Sequence, residues 1–103
     1  MVAILLGTGF EPIEALAPCD ILRRGGVEVK LAALEGRVVE GGQGIRVEAD
    51  CALGDLNEEA LEMLMLPGGL GGVHSILACE PALALVRRAY EAGKWIGAIC
   101  AAP

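Results

Sequence analysis

The residues with the most chemical promise close the run Trp95-Ile96-Gly97-Ala98-Ile99-Cys100-Ala101-Ala102-Pro103. Residues 95–99 read as a buried strand, and Ala101-Ala102-Pro103 as the first step of a helix. Cys100 therefore stands where a parallel strand passes into a helix. A nucleophile on so tight a turn needs small residues two places before and two places after it, because larger side chains collide there. Ala98 and Ala102 meet that need, in the pattern A-x-C-x-A. A helix starting beyond Cys100 would aim free N–H groups and its positive end at the sulfur and favour the thiolate, which is the reactive form. The other reading of Cys100 is an inert packing thiol at a strand end.

Two acids come next. Glu11 and Glu14 follow the first strand, are three residues apart and so share a helix face. They belong to the same edge of the sheet as Cys100. A carboxyl group pressed against apolar walls there keeps its proton, and can donate a hydrogen bond to a thiolate or act as a general acid or base. Acids in a first helical turn also favour the helix dipole without any chemistry. That second reading weighs most at Glu11, and the chemical one at Glu14. The third feature is Pro67-Gly68-Gly69-Leu70-Gly71-Gly72. Glycines after a strand let backbone N–H groups approach a ligand, as an oxyanion hole or a phosphate cradle. Neither G-x-x-x-x-G-K-[ST] nor G-x-G-x-x-G occurs, so the oxyanion role fits better beside a cysteine. His74, the only histidine, reads as a solvated residue after the glycines, and Arg87-Arg88 and Glu58-Glu59 as solvated surface.

The elements that must position these residues follow from the hydrophobic pattern. Residues 2–7 are an apolar run closed by glycine, which reads as a central parallel strand. Glu11-Pro12 opens a helix that stops at Gly25-Gly26, with Ile13, Leu16, Ala17 and Ile21 on one face. Pro18 lies inside it and predicts a bend or restart. Residues 27–34 are a second strand. Residues 38–39 and 45–48 flank Gly41-Gly42-Gln43-Gly44 as a small hairpin. Residues 50–56 read as irregular, and Asn57 as the cap of a short turn over 58–60. Residues 63–66 and 95–99 are further strands, and 81–92 is a helix with Gly93 just past its end. The order β-α-β, then β-α-β, predicts an α/β fold with a doubly wound parallel sheet and right-handed crossovers. Ligands in such sheets gather outside the carboxyl ends of the strands, where residues 7–14, 67–72 and 100 onward fall.

Composition narrows the partners. The chain has 103 residues, 54% of them hydrophobic and only 3% aromatic. That is one domain at most, with more apolar surface than so short a chain readily hides. The net charge of −6 argues against nucleic acid and anionic membranes, which select for Lys and Arg. No apolar run reaches membrane-spanning length. Cys19, Cys51, Cys79 and Cys100 are scattered, so neither a zinc site nor a disulfide framework is expected. A cytoplasmic protein with free thiols is the expectation.

The motifs together resemble one family. G-x-E-x-x-E (Gly9, Glu11, Glu14), Pro-x-D (Pro18, Asp20), L-P-G-G (66–69) and A-I-C-A (98–101) occur in the order found in the ThiJ/PfpI family, and the chain resembles it over its whole length. The resemblance implies a flavodoxin-like fold and homodimers. It implies Cys100 as nucleophile and Glu14 as a protonated partner hydrogen-bonded to its sulfur. Gly69 and Ala101 become oxyanion-type backbone donors, with Glu11 and Gly68 at the pocket. It also implies that residues 1–103 are the N-terminal part of one domain, whose complementary C-terminal half is missing or on a separate chain. The family's histidine has no counterpart at His74, and position 12 is Pro where some members carry a second acid.

The implied activity is attack by the thiolate on small reactive carbonyls such as methylglyoxal, glyoxalase- or deglycase-like, with no metal or organic cofactor. An oxidative-stress sensor or chaperone using the same cysteine is the alternative. A peptidase- or amidase-like hydrolase ranks below both, for want of a nearby base.

Overall fold

A computed structural model describes residues 1–103. Seven strands and three helices follow in the order β1 (Val2–Leu6), α1 (Pro12–Arg24), β2 (Val29–Ala33), β3 (Val38–Glu40), β4 (Arg46–Glu48), β5 (Cys51–Ala52), β6 (Met63–Leu66), α2 (Leu70–Leu77), α3 (Glu80–Glu91) and β7 (Trp95–Ala98). The main sheet is parallel throughout, in the order β5-β2-β1-β6-β7, and β3 and β4 form a separate antiparallel hairpin. This is the expected α/β arrangement with its small hairpin.

β1 runs through the middle of the sheet, and all five of its side chains are buried. Alternation along the strand divides them. Val2, Ile4 and Leu6 pack with Ala15 and Cys19 of α1 and with Val39 of the hairpin. Ala3 and Leu5 pack on the other face with Ile76 of α2 and with Ala82, Leu85 and Ala89 of α3. Burying a side chain such as Ile4 or Leu5 contributes about 1.5–3 kcal/mol, so the two layers hold β1 firmly and with it the loop that follows. No single helix is long and apolar enough to cross a membrane. The α2–α3 pair is apolar enough in sum, but it is bent by 86° and packs on the sheet.

Several local expectations change. α1 is one continuous helix through Pro18. The ring removes only the bond to the Glu14 carbonyl, and packing of Ala15 and Cys19 on β1 keeps the rest in line. Its buried residues are Pro12, Ala15 and Cys19, not the face through Ile13, Ala17 and Ile21, which points outward. Residues 51–52 add a short edge strand to β2 where irregular chain was expected. Asn57 precedes the short turn at Glu58–Ala60 but makes no side-chain cap bond. α2 was not expected at all, because Gly71 and Gly72 are poor helix formers. Its glycines are there for close packing: a Cβ on Gly72 would fall 2.7 Å from Phe10 Cα. Within residues 1–103, β7 is the last strand of the sheet beside β6, and Trp95 is 77% exposed.

Candidate active site

Parallel pairing brings the site together. Leu66 of β6 is in register with Ala98 of β7, and the Ile99 N–H donates to the Leu66 carbonyl at 3.3 Å. The residues just past the two strands, Pro67-Gly68 and Ile99-Cys100, therefore emerge side by side. On the other side of β6, β1 delivers the loop at residues 7–11. Phe10 is fully buried and pins that loop, and the Gly9 N–H donates to the Glu40 carbonyl of the hairpin at 2.8 Å. The Glu11 N–H then donates to the Gly68 carbonyl at 3.0 Å. That bond docks the start of α1 against the Gly68 turn.

Cys100 has φ +58°, one of two non-glycine residues in the left-handed region. The Ala102 N–H donates to the Ile99 carbonyl at 3.1 Å and closes a tight turn around it. A residue with a β-carbon costs roughly 1–2 kcal/mol in this conformation. A strained, exposed cysteine on the turn after a parallel strand has the geometry of a nucleophile elbow.

Gly68 is the hinge of the arrangement. Its N–H donates to Glu14 Oε1 at 2.8 Å. A Cβ there would lie 2.9 Å from Cys100 Cβ and 3.1 Å from the Ile99 carbonyl, and would run into Glu14 Oε1. Only glycine lets the helix carboxyl and the elbow approach from opposite sides. Gly69 has φ +86° and precedes α2 without a side-chain cap. The N–H groups of Gly69, Cys100 and Ala101 have no acceptor within the chain.

Cys100, Glu14, Glu11 and Gly69 line one open cavity of about 400 Å³, with Ile13 as an apolar wall. Gly68 and Ala101 adjoin it through the backbone of the same two turns. No hydrogen bond joins the Glu14 carboxyl to the Cys100 sulfur; the bond Glu14 makes is to Gly68. Glu11 has a structural task, since its carboxylate caps α1 by accepting from the Ile13 N–H at 3.2 Å. His74 is an exposed residue of α2 outside the cavity wall. Asp20 pairs with Arg24 on the surface of α1 at 2.9 Å. Burial pushes the Cys19 and Cys51 thiols above the ordinary value, as suits packing residues. Ile13 is the wall residue that sequence reading placed in the core. The phase set by Pro12, Ala15 and Cys19 was the available signal.

The arrangement is suited to nucleophilic addition: an exposed thiol, a carboxyl in the same cavity, and free backbone donors beside it. The model of the DJ-1/PfpI family matches residues 1–103. Protein DJ-1 homolog B of Arabidopsis thaliana is 39% identical over 103 residues, which cover 99% of this chain and 24% of that protein. The glutathione-independent glyoxalase DJR-1.2 of Caenorhabditis elegans is 33% identical over 93 residues, 90% of this chain and 50% of that one. Deglycase TK1284 of Thermococcus kodakarensis is 30% identical over 102 residues, 99% and 61% respectively. Among solved structures, oxidised Toxoplasma gondii DJ-1 superposes with a TM-score of 0.93 at 32% identity, over 99% of this chain and 56% of that one. The chain thus spans between a quarter and about three fifths of the length of the relatives it matches.

Proposed function

The chain belongs to the DJ-1/PfpI family, and on that premise we propose that it carries the nucleophile of a cysteine-dependent enzyme acting on small reactive carbonyls. The observation that supports this most directly is the left-handed Cys100 sharing one cavity with Glu14 and Gly69. The thiolate adds to the aldehyde carbon of an α-oxoaldehyde such as methylglyoxal. A C–S bond forms, and the π electrons of the C=O bond move to oxygen. The unbonded N–H groups of Gly69 and Ala101 receive that oxyanion. Glu14, with one oxygen held by Gly68, has the other available to relay the proton released by the thiol. Net conversion of an α-oxoaldehyde to a 2-hydroxy acid adds water and moves hydrogen between adjacent carbons. It therefore calls for no cofactor. The names of the glyoxalase and deglycase relatives support the same substrate class.

Two surfaces support partners for the whole protein. The free edge at β7 carries Trp95, 77% exposed, and Ile99, which suits pairing with the complementary part of the same domain. On α1, Ile13 and Ile21 are 74% and 66% exposed and lie in line with Ala17, an apolar stripe suited to a second copy. The four free cysteines support a reducing, cytoplasmic setting.

The test is methylglyoxal turnover by the protein and by Cys100→Ser, in the presence of whatever polypeptide copurifies with it. Loss of turnover in the variant is expected. Equal turnover would sink the reading. A second reading, a redox sensor, is favoured by the exposure of Cys100. Two successive oxidations by peroxide would leave a sulfinate and two waters. A mass gain of two oxygens on the Cys100 peptide, with no turnover, would select it.

A further inference from the structure

A cavity of about 540 Å³, larger than the one at Cys100, lies elsewhere in the molecule. It opens at the carboxyl ends of β1 and β2, between the Thr8 loop, the hairpin and the junction of α2 with α3, and shares no lining residue with the Cys100 cavity. Its size is that of a small-molecule site, and its position is where ligands gather in parallel sheets. Leu34, Val38 and Pro81 give it accessible apolar walls, over a floor of the buried Leu6 and Val39. Glu35 and Glu80 are the only charged residues in its wall, and neither makes a salt bridge or a side-chain hydrogen bond. No Lys, Arg or His lines it. The Ser75 hydroxyl has acceptors in its own surroundings, the Thr8 and Gly71 carbonyls, at 3.0 and 2.9 Å. The C-terminal end of α2 and the N-terminal end of α3 meet at the wall, so their end charges oppose each other. The two carboxylates are left to set the sign of the field, on a chain whose net charge is already −6.

We propose that this cavity binds a small organic cation, an ammonium group on an apolar body. The apolar part occupies the Leu34–Val38–Pro81 walls, and the ammonium group takes up Glu35 and Glu80 at the rim. An anion of the same shape is repelled by both carboxylates and finds no cationic partner. The inference does not rest on the chemistry of Cys100.

Three probes with one phenyl body separate the terms: 2-phenylethylamine, 2-phenylethanol and 3-phenylpropanoate. Binding is read from amide shifts of the ¹⁵N-labelled protein and from the alkylation rate of Cys79, a half-buried thiol in the cavity wall. The amine is expected to shift Leu6, Leu34 and Val39 and to slow alkylation of Cys79. The alcohol should bind about tenfold more weakly, as expected for two partly exposed ion pairs, and the propanoate not measurably. Glu35→Gln with Glu80→Gln should bring the amine down to the level of the alcohol. Ala78→Phe, at an exposed wall position, should block the amine and the alcohol alike. Equal binding of the three probes, amine binding unchanged in the double Gln variant, shifts centred on Glu11 and Gly69 instead, or no binding of the amine would each overturn the proposal.

Discussion

Gly68 stands between Glu14 and Cys100 with no room for a β-carbon: one built there would lie 2.9 Å from Cys100 Cβ and overlap Glu14 Oε1. The carboxyl of α1 and the thiol after β7 are 86 residues apart in the chain (100 − 14). They share a cavity because a single glycine lies between them and because its N–H holds the carboxyl in place.

Gly68→Ala should therefore disturb the site before it disturbs the sheet. The new methyl group has to push back Glu14, Cys100 or the Ile99 carbonyl, an overpacking cost of about 1–3 kcal/mol. Urea denaturation should show that loss, and alkylation of Cys100 should change rate while that of Cys19 does not. A variant with wild-type stability and wild-type Cys100 reactivity would contradict the packing described.

Glu14 has two separable tasks. Glu14→Gln keeps an acceptor oxygen for the Gly68 N–H, so stability should stay within about 0.5 kcal/mol of wild type. Turnover should fall by about 10²–10⁴-fold if the carboxyl relays a proton. Glu14→Leu also leaves the Gly68 N–H without its partner, and should cost a further 1–3 kcal/mol, roughly. Chemical denaturation read beside a steady-state assay distinguishes the two; full activity in the Gln variant removes Glu14 from the proton path.

The left-handed elbow predicts a trade between stability and function. Both Cys100→Ala and Cys100→Gly remove the thiol, but only glycine is at ease at φ +58°. The Gly variant should be more stable than the Ala variant by about 1 kcal/mol, seen as a higher melting temperature. A lower melting temperature for Gly than for Ala would mean that the turn is not strained.

Stability should form a plateau in pH with a cause on each side. A hydrogen bond from Arg88 holds the Glu58 carboxyl below its ordinary value of 4.5; burial opposes it, and the charges of Arg88 and Lys94 assist it. A lowered folded value gives stability that is present above the unfolded one and lost as pH falls through the folded one. The pair is partly exposed, so the loss is about 0.5 kcal/mol, and Glu58→Gln should flatten it. At the other end, burial raises the Cys19 and Cys51 thiols above 9.0. That contribution is complete below the unfolded value and disappears as pH rises through the folded one. Urea midpoints from pH 3.5 to 10.5 check both limbs, and an acid limb of unchanged slope in Glu58→Gln would disprove the first assignment.

The sequence by itself determined the parallel α/β sheet, the hairpin and the family, because these rest on local signals. Apolar runs closed by glycine mark β1 and β6, and the ordered motifs around Glu14, Gly68 and Cys100 are read one after another along the chain. It also placed Cys100 at the strand end, since A-x-C-x-A is a local steric pattern. It could not decide which face of α1 is buried: Ile13 and Cys19 are both apolar, and only packing against Ile4 and Leu6 chooses between them. It did not show α2, whose glycines are unfavourable by propensity and are repaid by contact with Phe10 and Gly9. β7 was legible as a strand but its register beside β6 was not, because that pairing joins segments far apart in the chain. Glu14 was legible as a carboxyl near the site, but its bond to Gly68 in place of the sulfur was not. That bond is set by the register of β6 with β7 and by the docking of Glu11 on Gly68, relations between distant segments that only the tertiary structure decides.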